Sequence, residues 1–256
     1  MKTNFTQLLF VVLLLAGQRV FSQSADSTKA TSHFSGVITA TNNGISLLPN
    51  FMLGKPALLF DLSLGKGRLS FDPMLRFAME GKPWSFIFWW RYKLADGAKF
   101  KMSVGAHPSV VFRTVSVSTE GVAKEYFTAQ RYAAGEVTPT YFFSPNASIG
   151  VQYLGSRGLS QDAIRRTHFV ALRGTLANVK LSENLALTVM PQAYYLNMDG
   201  RQGTYVNATV FLTKKNVPVS FSAIANRALH TEIAGRAFVW NVALNYHLNN
   251  TYRRIR

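Results

Sequence analysis

Cysteine is absent from the 256-residue sequence, which excludes disulfides, thiolate metal sites, cysteine nucleophiles and a lipoprotein anchor on a mature N-terminal cysteine. Charge is sparse at 16% of residues, and the acidic sign is the scarcer: 12 Asp and Glu stand against 28 Lys and Arg, a formal net charge of +16. With aromatics at 13%, the chain is unlike a disordered segment or a coiled coil. No apolar run reaches the roughly 18 residues a spanning helix needs, so crossing a bilayer on helices is excluded. The basic excess favours an anionic environment or ligand. The basic residues are scattered rather than clustered among exposed aromatics, so no nucleic-acid partner is expected.

The longest apolar run, Leu8 to Ala16, follows Lys2 and precedes Val20 and Ser22, the layout of a cleaved secretory signal peptide over residues 1–22. An exported chain without disulfides suits a Gram-negative envelope. Residues 23–44 read as a polar lead followed by a short pre-barrel segment, His33 to Thr41, and the turn Asn42-Asn43-Gly44.

From Ile45 onward one pattern repeats. In Trp84 to Leu94, one set of alternate residues is Trp84, Phe86, Phe88, Trp90, Tyr92 and Leu94, and the other is Ser85, Ile87, Trp89, Arg91 and Lys93. This is the period of a β-strand, and a tilted strand of about 9 to 11 residues crosses a bilayer. Phe71, Pro73, Leu75 and Phe77 alternate in the same way with Asp72, Met74 and Arg76, as do Phe238, Trp240, Val242, Leu244 and Tyr246 with Asn241, Asn245 and His247. No helical period and no domain-scale repeat interrupts the series. Long links at 229–236, 198–203, 156–166 and 118–123 alternate with tight ones at 214–216, 181–184, 144–146 and 95–97, the asymmetry of a membrane barrel. The expectation is an all-β chain, a single transmembrane antiparallel up-and-down barrel over residues 45–256, with Ile45 to Leu53 as its first strand and about 12 strands in all. A soluble barrel or sandwich is the alternative, since alternation alone does not say which face is inside. The small and polar second face suits a wet lumen.

In this pattern the chain resembles the Gram-negative outer-membrane β-barrel superfamily, in the small porin-like class that includes solute channels and lipid hydrolases. The resemblance runs from Ile45 to Leu248 and implies insertion in the outer membrane by its assembly machinery and contact with membrane lipid and lipopolysaccharide. His33, His168, His230 and His247 lie far apart without metal-ligand spacing, so no metal or cofactor is expected. Such chains usually end on an aromatic residue of the last strand, whereas here NNTYRRIR follows Leu248.

Hairpin parity places the charges. A turn at Lys66-Gly67 sets Asp61 opposite Asp72, a pairing of Met79 with Trp84 sets Asp72 opposite Arg91, and a link at Asp96 to Ala98 sets Lys93 opposite Lys101. With Arg76, Lys99, Arg113 and Arg173, these residues form a basic pore lining, expected to pass small anionic solutes. Charges that neutralise one another and plug the lumen, in a structural or adhesion barrel, are the rival reading. Trp84, Trp90, Tyr92, Trp240 and Tyr246 are expected at the lipid interface. Arg157, Arg165, Arg166, Arg201 and Arg236 are candidates for lipopolysaccharide phosphate. His107 and Ser109 resemble the His-x-Ser of outer-membrane phospholipase and lipid A deacylase, which implies lipid hydrolysis as a third reading. Pro108 between them and the lack of an orienting third residue weigh against it.

Overall fold

The computed structural model describes residues 32–119 and 122–252. The expected signal peptide lies outside the described residues. Twelve strands form one closed antiparallel barrel, each paired with its sequence neighbours, and β1 closes the ring on β12. The strands are β1 (Ser32–Thr41), β2 (Ala57–Lys66), β3 (Leu69–Ala78), β4 (Pro83–Asp96), β5 (Phe100–Thr119), β6 (Val122–Ser144), β7 (Ala147–Gly158), β8 (Arg166–Lys180), β9 (Leu185–Met198), β10 (Arg201–Lys214), β11 (Val219–Thr231) and β12 (Phe238–Tyr252). Closure leaves no unpaired edge within the ring itself, the condition under which a sheet can face hydrocarbon.

The expected strand number stands, but the first strand is a different segment. His33 to Thr41 belongs to β1, with Val37 paired to both Asp61 and His247, so the barrel begins at Ser32 and not at Ile45. Ile45 to Leu53 is irregular chain around a 3-10 turn at Pro49–Phe51, where proline occupies a first-turn position that needs no N–H donor. The segment after Leu248 is likewise strand up to Tyr252, paired with Ser32.

Turn chemistry explains the other departures. Asp199 and Gly200 have φ values of 51° and 88°, the conformation of a two-residue hairpin turn, so Met198 pairs directly with Arg201 and the link expected to be long is tight. Gly67, at φ 61°, is the first turn residue rather than the second. Lys66 therefore pairs Leu69 and Asp61 pairs Met74, two residues from the expected register. Beyond Ser85 and Tyr132 the β5–β6 hairpin loses its outer neighbours and continues past them as a two-stranded ribbon.

The bulky set of side chains faces outward. Trp90 (53% exposed), Tyr92, Trp240 and Tyr246 all lie on the outer wall. Phe60, Phe77, Phe86, Phe112 and Phe127 form a belt across β2 to β6 with ring centroids 5.3–6.1 Å apart. Such a girdle suits the boundary between apolar and polar layers, each ring pair adding about 0.5–1.5 kcal/mol. Trp84 is the exception: it is 3% exposed and turned inward. A bulge between Arg76 and Phe77 pairs them with Ser85 and Pro83, leaving Trp84 as the extra residue, and a bulge re-aims the side chain it releases.

Candidate functional site: a charged girdle beneath an apolar plug

The lumen is organised by a residue with no side chain. Gly105 of β5 pairs on one side with Arg91 of β4 and on the other with Glu136 of β6. Two strand spacings are roughly 9.5 Å, a distance Arg91 bridges only by lying over the glycine. A Cβ at position 105 would stand 3.0 Å from Arg91 Cγ and 3.2 Å from the Trp89 ring. Arg91 Nε donates to Glu136 Oε1 at 2.7 Å, and Nη1 donates to Asp72 Oδ2 at 2.8 Å. The Trp89 ring lies against the guanidinium at 4.3 Å.

The chain of bonds continues around the wall. Ser63 Oγ donates to Asp72 Oδ1 at 2.6 Å. Gln152 Nε2 donates to Glu136 Oε2 at 2.8 Å, Arg173 Nη2 to Gln152 Oε1 at 3.0 Å, and Arg173 Nε to Gln192 Oε1 at 3.3 Å. Strands β2 to β9 thus share one polar girdle that skips only β5. On the remaining wall, Thr39 donates to Asn245, Asn245 donates to Ser222, and Ser220 meets His247. The charged members of the girdle, Asp72, Arg91, Glu136 and Arg173, lie on β3 to β8, with Arg173 nearly across the ring from Asp72, so charges of both signs face one another over the lumen.

Above the girdle, at the end of the barrel opposite the termini, residues 42–56 cross the interior. Trp84 Nε1 of β4 donates to the Phe51 carbonyl at 2.9 Å, and the Tyr194 hydroxyl of β9 donates to the Leu47 carbonyl at 3.1 Å. Those strands lie nearly across the ring from one another, so the segment is held from both sides. Leu47, Leu48 and Phe51 pack on Phe169, Tyr194, Leu196, Met198, Tyr205 and Ile233. Phe51 also meets the Tyr132 ring at 5.2 Å, and Arg113 lies over it at 5.4 Å. Outside, Lys55 pairs with Glu80 at 2.6 Å, and that hydrogen bond holds the Glu80 carboxyl below its ordinary range.

Between plug and girdle lies a chamber of 440 Å³ whose lining includes Arg76, Arg91, Arg173, Glu136, His107 and Trp89. Arg91 also lines the vestibule on the terminal side, with Asp61, Ser63 and Asp72.

The expected lining is thus partly assembled. Asp72 and Arg91 meet, though as diagonal neighbours, because Asp72 pairs with Trp89 and Arg91 with Ser70. Asp61 shares the vestibule with Asp72 without facing it. Arg76 lies 5.6 Å over the Trp84 ring. Lys93 and Lys101 are not opposed: both approach Asp96, at 3.5 and 3.4 Å, near the terminal rim. A bulge after Lys93 pairs Asp96 with Lys101. Lys99 lies in the exposed β4–β5 link, away from the lumen.

His107 and Ser109 are buried side by side on the lumenal face of β5. His107 packs edge-on against Trp89 at 4.1 Å, and its Nδ1 has no hydrogen-bond partner among the described residues, so no carboxylate or amide at Nδ1 orients the imidazole for proton transfer. No group of three metal-ligating side chains occurs among the described residues.

Sequence reasoning missed Glu136, Gln152, Gln192 and the inward role of Phe51. Residues 124–143 read as one long segment whose two faces are not obvious. The alternation of Tyr132, Ala134, Glu136 and Thr138 is the signal that could have found Glu136.

No family model matches the chain, and no curated protein matches it in sequence. Solved structures do match in shape. The KdgM porin in complex with disordered oligogalacturonate superposes with a TM-score of 0.54 at 6% identity, over 84% of this chain and 98% of that one. The NanC porin gives 0.46 at 10% identity, over 87% and 100%, and LpxR from Salmonella typhimurium 0.46 at 12%, over 83% and 99%. With its closed ring of twelve antiparallel strands, the chain has the fold of the porin-like outer-membrane barrels.

Proposed function

We propose that this protein is an outer-membrane channel for small anionic solutes, with the Asn42–Pro56 segment as a resident constriction. The observation that carries the reading is an imbalance inside the chamber. Glu136 is engaged by Arg91 and Gln152, whereas Arg76 and Arg173 reach the same space with no carboxylate ion pair among the described residues. A low-dielectric wall magnifies unbalanced charge, so an anion gains more there than in water. The aromatic girdle supports a setting in lipid, in the outer membrane of a Gram-negative cell.

The test is a planar-bilayer recording of the purified chain under a potassium chloride gradient. A reversal potential of the sign for chloride preference supports the reading, and cation preference removes it. A second reading, a non-conducting structural barrel, is favoured by the segment held between Trp84 and Tyr194. A variant lacking residues 45–53 separates the two. Conductance that appears or rises with the deletion supports a constricted channel, and silence in both proteins leaves the structural barrel.

A further inference from the structure

We propose that the outer wall carries a binding site for a phosphorylated lipid, centred on Arg157 of β7 and Arg166 of β8. The two are direct cross-strand partners, so their side chains leave the same face of the sheet. Strand parity makes that face the outer one. Tyr153 and Val151 of β7 and Val170 and Leu172 of β8 share it and are exposed, whereas Gln152 and Phe169 at intervening positions line the chamber. Like charges set directly opposite destabilise a strand pair, and neither arginine has an ion pair among the described residues. The Asp199 carboxylate of the neighbouring turn accepts from the backbone N–H groups of Arg165 and Arg166, at 2.9 and 2.8 Å, and is engaged there. An anion held between the two guanidinium groups turns their repulsion into paired charge-assisted hydrogen bonds.

The surroundings select the anion. A groove of 360 Å³ lies beside the pair, floored by Ala133, Gly135 and Gly155 and rimmed by Arg157, Arg166 and His168. His168 accompanies Arg166 on the outer face, its Nδ1 2.9 Å from the Tyr153 hydroxyl. Away from the loops, both strands run in the same order: guanidinium, then the His168 and Tyr153 rings, then the aliphatic side chains of Val151, Val170 and Leu172. A phosphate head on an acyl tail has that order of polarity, and a soluble phosphate has no use for the aliphatic stretch. The site lies outside the lumen and does not depend on conduction.

The experiment uses the full chain in neutral detergent, titrated with bisphosphorylated lipid A and followed by melting of the β-sheet circular dichroism signal and by lipid adducts in native mass spectrometry. Lipid A raises the melting temperature and adds a retained adduct, while its dephosphorylated form and inorganic phosphate at equal concentration do neither. In R157Q/R166Q the affinity falls at least about tenfold, with the native circular dichroism spectrum and conductance unchanged. If the double variant does not fold, R157Q and R166Q taken singly carry the test. Unchanged affinity in the variants, or equal binding of the dephosphorylated lipid, would overturn the site. Equal stabilisation by inorganic phosphate would overturn its assignment to lipid.

Discussion

Arg91 and Glu136 sit on strands that are not neighbours, yet their side chains meet at 2.7 Å because the position between them is Gly105. The side chain of Glu136 is only 5% exposed, and Arg91 is its ion-pair partner. Gly105→Val fills that passage and is expected to separate the pair. Unpairing a buried carboxylate costs about 3–5 kcal/mol, readable as a lower urea midpoint for unfolding from vesicles. A variant as stable as the parent would show that the crossing contributes nothing.

The plug predicts a change in conductance without a change in fold. Trp84→Phe keeps a ring and removes the N–H that holds the Phe51 carbonyl, a loss of about 0.5–1.5 kcal/mol. Tyr194→Phe does the same at Leu47. Each variant is expected to show more frequent open events in single-channel records, and the double variant more than either. Records indistinguishable from the parent would mean that the apolar packing of Leu47, Leu48 and Phe51 holds the segment alone.

Selectivity follows Arg76 and Arg173, which line the chamber with no carboxylate ion pair among the described residues. Arg173→Gln and Arg76→Gln each remove one positive charge from the chamber and are expected to move the reversal potential towards zero. Arg173→Glu is expected to carry it to the cation side. Lys99→Gln, in the exposed link, serves as the control that leaves it unchanged.

The outer wall makes a prediction about lipid. Leu172, 50% exposed on β8, lies among other outward aliphatics. Leu172→Arg is expected to cost about 2–4 kcal/mol if it reaches the bilayer midplane, measured by folding into phosphatidylcholine vesicles. A cost near zero would place that face in water.

Acid is expected to release the outer tether of the plug. The Lys55 hydrogen bond lowers the Glu80 carboxyl below its ordinary value of 4.5. The folded form therefore binds its proton less readily than the unfolded one, and the contribution is complete above pH 4.5 and lost as the pH falls through the lower folded value. Open events should become more frequent in that acid window, and Glu80→Gln should show the acid behaviour already at about neutral pH.

Parity is readable throughout the chain. The facing of Asp72, Arg91 and Arg173 into the lumen, and of Trp90, Tyr92, Trp240 and Tyr246 away from it, follows from a period of two that needs no knowledge of distant partners, whereas Arg113 stands on the β5–β6 ribbon beyond the barrel wall, over the Phe51 ring. Trp84 escapes because its alternation is regular in the sequence and broken only by the bulge opposite Arg76. The β2–β3 register differs from expectation by two residues and not by one. Gly67 takes the first turn position with positive φ, and a slip of two preserves the face on which each side chain lies. Ile45 to Leu53 shows the limit of the pattern, since its alternating apolar residues are those of a strand but its partners are Tyr194, Trp84 and the inner wall.

What the sequence by itself determined was the class of the protein: many strands, each with a bulky side and a polar side, because alternation is local chemistry written residue by residue. Tertiary structure alone decided that His33 to Thr41 closes the ring, that Arg91 reaches Glu136 over Gly105, and that Ile45 to Leu48 and Phe51 line the chamber. Those arrangements join positions far apart in the chain, and their geometry depends on turns, bulges and closure acting together rather than on any one strand's composition.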